Sequence, residues 1–291
     1  MRLSLAVIIA TAGRKELVAR LLSYIAGLPS LPDEIILAVA DRSHLPEGSW
    51  PSLRVSVVVG DLGSSAQRNA ALDDALGRFD VLTFLDDDFI PADDYLEGVR
   101  RAFADHPGWA VVMGNVVRDG VKIGGIDWDE GVRALRASES EPRTGKVVDH
   151  IGAYGCNMSV RSSMVGALRF DERLVLYGWQ EDIDFTSQLR QRGRVVCLHD
   201  LRGVHLGYRT GRVSGKRFGY SQVANPVYLV RKGTVPATFA YRLMLRNLAA
   251  NLVRSLRPEP FVDRRGRLSG NLIALRHVAT GRVEPEFILK I

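Results

Sequence analysis

Three consecutive carboxylates stand at Phe84-Leu85-Asp86-Asp87-Asp88-Phe89, directly after the apolar run Val81–Leu85. Like charges this close repel, and burying them is costly unless a cation joins them. A hard divalent cation such as Mg2+ or Mn2+ prefers oxygen ligands and commonly bridges one or two carboxylates to substrate phosphates. The competing reading is a solvated turn that caps the next helix, although Asp93 and Asp94 can fill that role instead. Position favours the site, because α/β sheets collect ligands beyond the carboxyl ends of their strands.

A second acidic group lies in Trp179-Gln180-Glu181-Asp182-Ile183-Asp184-Phe185, at an expected helix start. The helix dipole keeps first-turn carboxylates ionised, as a general base must be before it takes a proton. Acidic residues there are also ordinary helix punctuation. His199 and His205 follow the run Val195–Leu198, and a neutral imidazole from either would complete a metal shell begun by the aspartates. Ser64-Ser65-Ala66-Gln67-Arg68-Asn69 opens a helix after a glycine turn. Helix starts bind anions, and Arg68 could reach a phosphate or hold the Asp cluster in place. The sequence has no GxxxxGK[ST] loop, no GxGxxG after the first strand, no GxSxG elbow and no HExxH helix.

The elements that must position these residues are legible as alternating patterns. Leu5–Ala10, Glu34–Val39, Val55–Val59 and Val81–Leu85 read as buried strands. Helical stretches at Glu16–Ala26, Ala66–Leu76 and Tyr95–Ala104 separate or follow them, with Leu17, Val18, Leu21, Leu22 and Ile25 on one face of the first. This alternation predicts a mostly parallel central sheet between helices. A strand at Ala110–Val117 leads into a charged, glycine-rich stretch, Asp119–Lys146, that reads as a long loop with one short helix. A strand at Cys156–Val160, a helix at Gln180–Gln191 and a strand at Val195–Leu198 follow. From Ser214 the pattern becomes helical and Arg-bearing, with Arg242, Arg246, Arg254 and Arg257 along Ala237–Leu256 and its end.

The bulk properties set wide bounds. With 291 residues, 46% of them hydrophobic, the chain can bury a core without staples. Cys156 and Cys197 make no disulfide framework and suit a reducing compartment. A net charge of +6 suits a phosphate-bearing substrate, an anionic membrane surface or nucleic acid without choosing among them. The start through Ala10-Thr11-Ala12 has the outline of a short signal peptide, but Gly13 and the helix after it favour a first strand. No run approaches the ~20 apolar residues that span a bilayer.

Taken in order, these segments resemble the family 2 glycosyltransferases, which have the GT-A fold, over residues 3–232. Val7–Arg14 is similar to that family's opening strand and turn, which implies that Thr11, Ala12, Gly13 and Arg14 face the nucleotide base. Asp41, in Ala40-Asp41-Arg42-Ser43, stands where relatives contact the base; relatives carry Asp-Gly-Ser, so the base stays open among UDP (favoured), GDP and dTDP. Ala66–Leu72 resembles the helix start that brings Arg68 and Asn69 to the donor, and Gly155–Arg161 the segment that sets Asn157 beside the donor sugar. Phe84–Phe89 resembles the DxD motif, which implies Asp86 and Asp87 at the donor and Asp86 and Asp88, with His205, as metal ligands. Trp179–Phe185 resembles the ED motif of inverting members, which implies Asp182 as base with Glu181 as its rival.

The resemblance implies an inverting transfer from a nucleotide-diphosphate sugar, aided by Mn2+ or Mg2+, to a saccharide or lipid-linked acceptor. The last sixty residues resemble tails of bacterial cell-envelope polysaccharide transferases, and the expected location is cytoplasmic. The Arg-striped helix around Arg242 and Arg254 either lies peripherally on the anionic inner face of the membrane, near a lipid-linked acceptor, or packs on the catalytic domain. The change of pattern at Ser214 divides the chain into a catalytic domain, 1–213 (nucleotide part about 1–118, acceptor part about 119–213), and a helical extension, 214–291. A sugar-phosphate nucleotidyltransferase would need a longer glycine-rich, basic N-terminal loop than Ala12-Gly13-Arg14-Lys15-Glu16. A non-enzymatic nucleic-acid binder is disfavoured by dispersed arginines without an RNP-like or zinc pattern. The sequence does not speak to oligomeric state.

Overall fold

The computed structural model describes residues 2–208, 214–257 and 259–291. The expected boundary between catalytic part and extension, at 213, lies on the edge of a segment outside those residues. The chain runs β1 (Leu5–Thr11), α1 (Lys15–Ala26), β2 (Glu34–Val39), β3 (Val55–Val59), α2 (Ser64–Ala75), β4 (Val81–Leu85) and β5 (Phe89–Pro91). It continues through α3 (Tyr95–Asp105), β6 (Trp109–Asp119), α4 (Trp128–Glu139), β7 (Val147–Asp149), β8 (Asn157–Arg161) and the short α5 (Ser162–Val165). Last come α6 (Glu181–Leu189), β9 (Arg194–His205), α7 (Gly215–Lys232), α8 (Ala237–Ser255) and α9 (Arg264–Ala279).

Among the described residues nine strands form one sheet in the order β3-β2-β1-β4-β8-β6-β9-β5, with β7 on β9. β1, β2, β3, β4, β6 and β9 share one direction, so the mostly parallel sheet is the one expected. β5, β7 and β8 run against it. Alternation along β1 sends Leu5, Val7 and Ile9 towards α1, α3 and α4, and Ala6 and Ile8 towards α2 and α6. The helices therefore cover both faces of the sheet, as parallel strands require.

Two segments differ from the sequence expectation. The stretch 119–146 holds a twelve-residue helix, α4, whose N-cap Asp127 accepts a hydrogen bond from the Glu130 N–H at 2.9 Å. Trp128, Val132 and Leu135, at spacings of four and three, form the apolar face that packs on the core. β9 runs beyond Leu198 to His205 because the chain bulges there: Gly114 pairs Leu198, while the next residue, Asn115, pairs Arg202. Past the bulge β9 also pairs β5, Phe89 opposite His205. That register sets His205 beside the carboxylate turn.

The extension has its own packing. Tyr220, Val223, Ala224 and Val227 of α7 cluster with Ala274 of α9 and with Val283 and Ile288. Asn251 of α8 donates to Gln222 of α7 at 2.7 Å and to Asn271 of α9 at 2.9 Å, and Asn271 donates to the Gly219 carbonyl at 2.6 Å. This buried polar set fixes the three helices in register. Lys232 of α7 then reaches Asp184, a fully buried carboxylate of α6, at 2.6 Å, and Thr234 donates to the same group.

Gly203 has no room for a side chain: an added Cβ would come within 2.1 Å of the Phe89 ring. Gly203→Ala is expected to lower the unfolding free energy by about 1–3 kcal/mol, through overpacking at the β5–β9 pair. A denaturant midpoint that stays at its wild-type value would show that the ring moves aside freely.

Candidate active site

β4 ends and the chain reverses into β5 through Asp86-Asp87-Asp88, closed by a hydrogen bond from the Phe89 N–H to the Asp86 carbonyl at 3.0 Å. The three side chains diverge. Asp87 points at the end of β1, where it accepts from Thr11 Oγ1 and from Arg14 Nη1, each at 2.6 Å. Asp88 accepts from the Tyr208 N–H at 2.8 Å, with Arg14 Nη1 3.6 Å away. Asp86, the most exposed of the three, accepts from Arg68 Nη2 at 2.9 Å.

His205 lies across this turn. Its Nε2 stands 3.3 Å from Asp88 Oδ1 and 3.9 Å from Asp86 Oδ2. Its Nδ1 faces Asp119 at 3.2 Å and the Tyr154 hydroxyl at 3.2 Å. A carboxylate behind an imidazole is the arrangement that aims the other ring nitrogen at a metal. Ligand atoms of Asp86, Asp88 and His205 all lie within 4.8 Å of one another, the set expected for a divalent cation. His199, on the same strand before the bulge, is not part of it.

The electrostatics show why a cation fits. Burial alone would lower the His205 pKa, yet its hydrogen bonds to Asp119 and Asp88 and the charges of Asp88 and Asp86 push it up to about 10. Burial pushes the Asp87 carboxyl up to about 6 against the pull of Arg14. Burial would also raise Asp88, but His205, Arg14 and the Tyr208 N–H hold it below the usual range. Six carboxylates gather here, Asp86, Asp87, Asp88, Asp119, Glu181 and Asp182, and Arg14, Arg68 and His205 are the cations set among them. A cluster with more carboxylates than cations is one that a bound divalent cation would help to neutralise.

A cleft of about 730 Å3 opens beyond the carboxyl ends of β1 and β4, within the usual range for ligand sites. Thr11, Arg14, Asp86 and Asp87 line one side, and Tyr177, Trp179 and Asp182 the other. Asp182, in the first turn of α6, accepts from the Gly155 N–H at 2.7 Å and from the Ile183 N–H at 2.8 Å. Burial raises its pKa, with Arg68 and those two N–H groups opposing. Glu181 is pushed up to about 8 by burial and by the charge of Asp182. Its carboxylate meets Arg68, so Glu181 is tied to the positioning of that guanidinium.

Not every expected site residue faces the cleft. Arg68 does line it, but its guanidinium is engaged by Asp86, Glu181 and the Gly155 carbonyl, so it holds the acidic cluster. Asn69 turns away: its amide donates to the Phe170 carbonyl at 2.9 Å and accepts from the Phe170 N–H at 2.8 Å. Asn157 is fully buried in β8 and donates to the Gly114 carbonyl at 3.0 Å. Neither lines the cleft, because each side chain is used to pin a neighbouring backbone. The helix start at Ser64 is covered as well, its N–H donating to the Leu176 carbonyl at 3.2 Å. Asp41 is exposed at the end of β2 and accepts from the Ser43 N–H at 2.6 Å, and Gly13 is exposed in the β1–α1 turn, where its neighbour Ala12 does line the cleft.

Four contributors escape the sequence reading. Asp119 and Tyr154 meet His205 only through the fold. Gln67 donates to the carbonyls of Thr11 and Ala38, both at 2.8 Å, and so joins the ends of β1 and β2. Gln180 sits in the cleft wall with left-handed backbone, φ 77°. Its glutamine type gives no hint of that conformation.

The family model for glycosyl transferase family 2 matches residues 6–166, more than half of the chain. No curated protein matches the sequence. Among solved structures, S. aureus TarS 1-349 in complex with UDP-GlcNAc is similar at a TM-score of 0.57 and 14% identity, over 96% of this chain and 92% of that one. The mannosyltransferase PcManGT from Pyrobaculum calidifontis, in complex with GDP-Man and Mn2+, is similar at 0.55 and 18% identity, over 100% of this chain and 79% of that one. At such identity these likenesses speak for the fold, which is the GT-A arrangement expected. The chain belongs to glycosyl transferase family 2 and is a glycosyltransferase.

Proposed function

We propose that this enzyme transfers a sugar from a nucleoside-diphosphate sugar to a saccharide or lipid-linked hydroxyl, inverting the anomeric centre, in cell-envelope or exopolysaccharide synthesis. The observation that carries this reading is the convergence of Asp86, Asp88 and His205 on one point of a cleft whose far wall presents Asp182. The two structural relatives with bound donors hold UDP-GlcNAc and GDP-Man, which share a diphosphate and differ in base and sugar. The reading takes the shared part, with UDP the first base to test.

The residues present fit a divalent cation: two carboxylates and an imidazole oriented by Asp119 are hard and borderline ligands suited to Mn2+ or Mg2+. When bound, such an ion neutralises the leaving diphosphate. Arg14 and Thr11 hold Asp87 at the end of β1, which shapes the side of the cleft assigned to the donor. Arg68 keeps Asp86 and Glu181 from repelling the fold apart. Asp182 takes the proton of the acceptor hydroxyl as that oxygen attacks the anomeric carbon from the face opposite the diphosphate. Its raised pKa makes it a stronger base than a solvated aspartate. The catalytic unit is residues 1–213, and 214–291 is an extension docked on α6.

Thermal unfolding with a panel of nucleoside diphosphates and their sugars, with and without Mn2+, tests the donor site. A donor at 100 times its Kd adds about 2.7 kcal/mol to the wild type, and Asp88→Ala is expected to lose that shift. No shift with any donor in the presence of Mn2+ would remove the donor site from the cleft. Asp182→Asn is expected to reduce kcat about 10²- to 10⁴-fold while leaving donor Kd unchanged. Retained turnover, or a product that keeps the donor's configuration, would reject Asp182 as the base.

Gln180 adds a third test. Leu176 and Gln180 are the non-glycine residues with positive φ among those described, at 61° and 77°, and they bracket Tyr177 and Trp179. A left-handed non-glycine residue costs about 1–2 kcal/mol. Gln180 is buried, and neither polar atom of its amide has a partner among the described residues. Strain and an unmet amide at one residue are features of a group kept for a ligand. Gln180→Gly is expected to raise stability by up to about 1 kcal/mol while weakening turnover. A large fall in Tm with normal kinetics would show that the amide serves packing alone.

A further inference from the structure

Charge is divided unevenly along the chain. Residues 214–291 carry fourteen Lys and Arg against four Asp and Glu, a net of +10, which leaves −4 for residues 1–213 out of the total of +6. Neither α8 nor α9 contains an acidic residue. The +6 of the whole sequence therefore hides an acidic body joined to a strongly basic extension.

The outward face of α8 is also apolar. Only Ala240 and Asn251 of this nineteen-residue helix are buried. Tyr241, Leu245, Leu252 and Leu256 follow at spacings of 4, 7 and 4, which places them on one stripe of a 3.6-residue helix. Their exposures are 38%, 60%, 60% and 82%. Arg242 and Arg246 flank the stripe and are exposed too. The stripe continues onto α9 across a shallow groove of about 620 Å3, bordered by Leu256, Arg265, Leu268 and Leu272. Exposed aliphatic residues of this extent, interleaved with arginines, call for a cover.

We propose that this face docks on the surface of an anionic lipid bilayer, with the leucines entering the headgroup boundary and the arginines meeting acidic headgroups. Complementarity of charge singles out this occupant. A second copy would bring one face of net positive charge against another, with no acidic residue on α8 or α9 to receive its arginines. A nucleic acid would pair with the arginines and leave Leu245, Leu252 and Leu256 uncovered. No helix among the described residues is long and apolar enough to cross a membrane, so the contact is peripheral. Next to the exposed Arg242, α8 also turns Leu243 into the cleft. Docking through this helix brings the bilayer next to the active-site opening.

Co-sedimentation of the full chain with vesicles tests the proposal without donor or acceptor, so its outcome is independent of the reaction assigned above. Wild type is expected to bind vesicles containing phosphatidylglycerol at low salt and to ignore pure phosphatidylcholine. The double variants Leu252→Glu/Leu256→Glu and Arg242→Glu/Arg246→Glu are each expected to bind at least about tenfold more weakly, since both lipid contacts contribute, with Tm unchanged. High salt is expected to release the protein as the charges are screened. Three results would overturn the proposal. One is no binding to phosphatidylglycerol vesicles at low salt. Another is a loss confined to the arginine variant together with equal competition by a DNA oligonucleotide, which marks a general polyanion surface. The third is a dimer by light scattering that Leu252→Glu/Leu256→Glu dissociates, which marks an interface between copies.

Discussion

A pair of carboxylates, Asp87 and Asp88, is buried to 5% and 3% exposure side by side, and the rest of the active site follows from the need to make that tolerable. Ionised neighbours in a low dielectric must be met by donors and cations at close range. The fold supplies them from segments far apart in sequence: Thr11 at the end of β1, Arg14 at the start of α1, and His205 and the Tyr208 N–H at the end of β9. β1 and β4 are neighbours in the sheet, and β5 and β9 pair just beyond the turn. Thr11 and His205 are thus delivered by strand pairings, and Arg14 and Tyr208 stand within three residues of the ends of those strands. Arg68 plays the same part for Asp86 and Glu181, so two guanidiniums and an imidazole brace the floor and one wall of the cleft.

Much of this was legible from residue order. Strands β2, β3 and β4 fall on the expected boundaries, because parallel strands covered on both faces read as unbroken apolar runs. The family's motif order groups Asp86, Asp88 and His205 without any geometry. What stayed hidden depended on register and side-chain direction. β9 looked finished at Leu198 because a three-residue bulge interrupts its pattern with His199-Asp200-Leu201. Asn69 and Asn157 sit in the right segments but turn their amides to Phe170 and Gly114. Asp119 lies 86 residues from His205, and only the pairing of β6 with β9, Asp119 opposite His205, brings them together.

The two walls of the cleft differ in how they are held. The donor-side wall is strand ends and the helix turns that follow, fixed by ladder hydrogen bonds and buried ion pairs. The opposite wall is the segment 174–182, whose backbone is bent through positive φ at Leu176 and Gln180. It is kept in place from outside: Asn225 of α7 donates to the Trp179 carbonyl at 2.7 Å, and Ser64 donates to the Tyr177 carbonyl at 3.3 Å. Strain at these two residues persists because neighbours on both sides over-determine the path. The carboxylate wall is thus built on rigid elements, and the less regular wall carries the aromatic groups of Tyr177 and Trp179 and the amide of Gln180.

The reach of Lys232 into the body of the protein has a bearing on how shortened forms of this enzyme should be judged. Its ammonium, with Thr234, meets the wholly buried Asp184, two residues beyond Asp182 on the same helical turn. A protein ended before α7 would keep every residue that lines the donor side of the cleft. It would also strip Asp184 of its countercharge and of the residues that cover it, and the start of α6 would open to water. Because Arg217, Phe218 and Leu243 also line the cleft, loss of turnover in such a fragment would combine the unlatching of one helix with the removal of part of the cleft's lining.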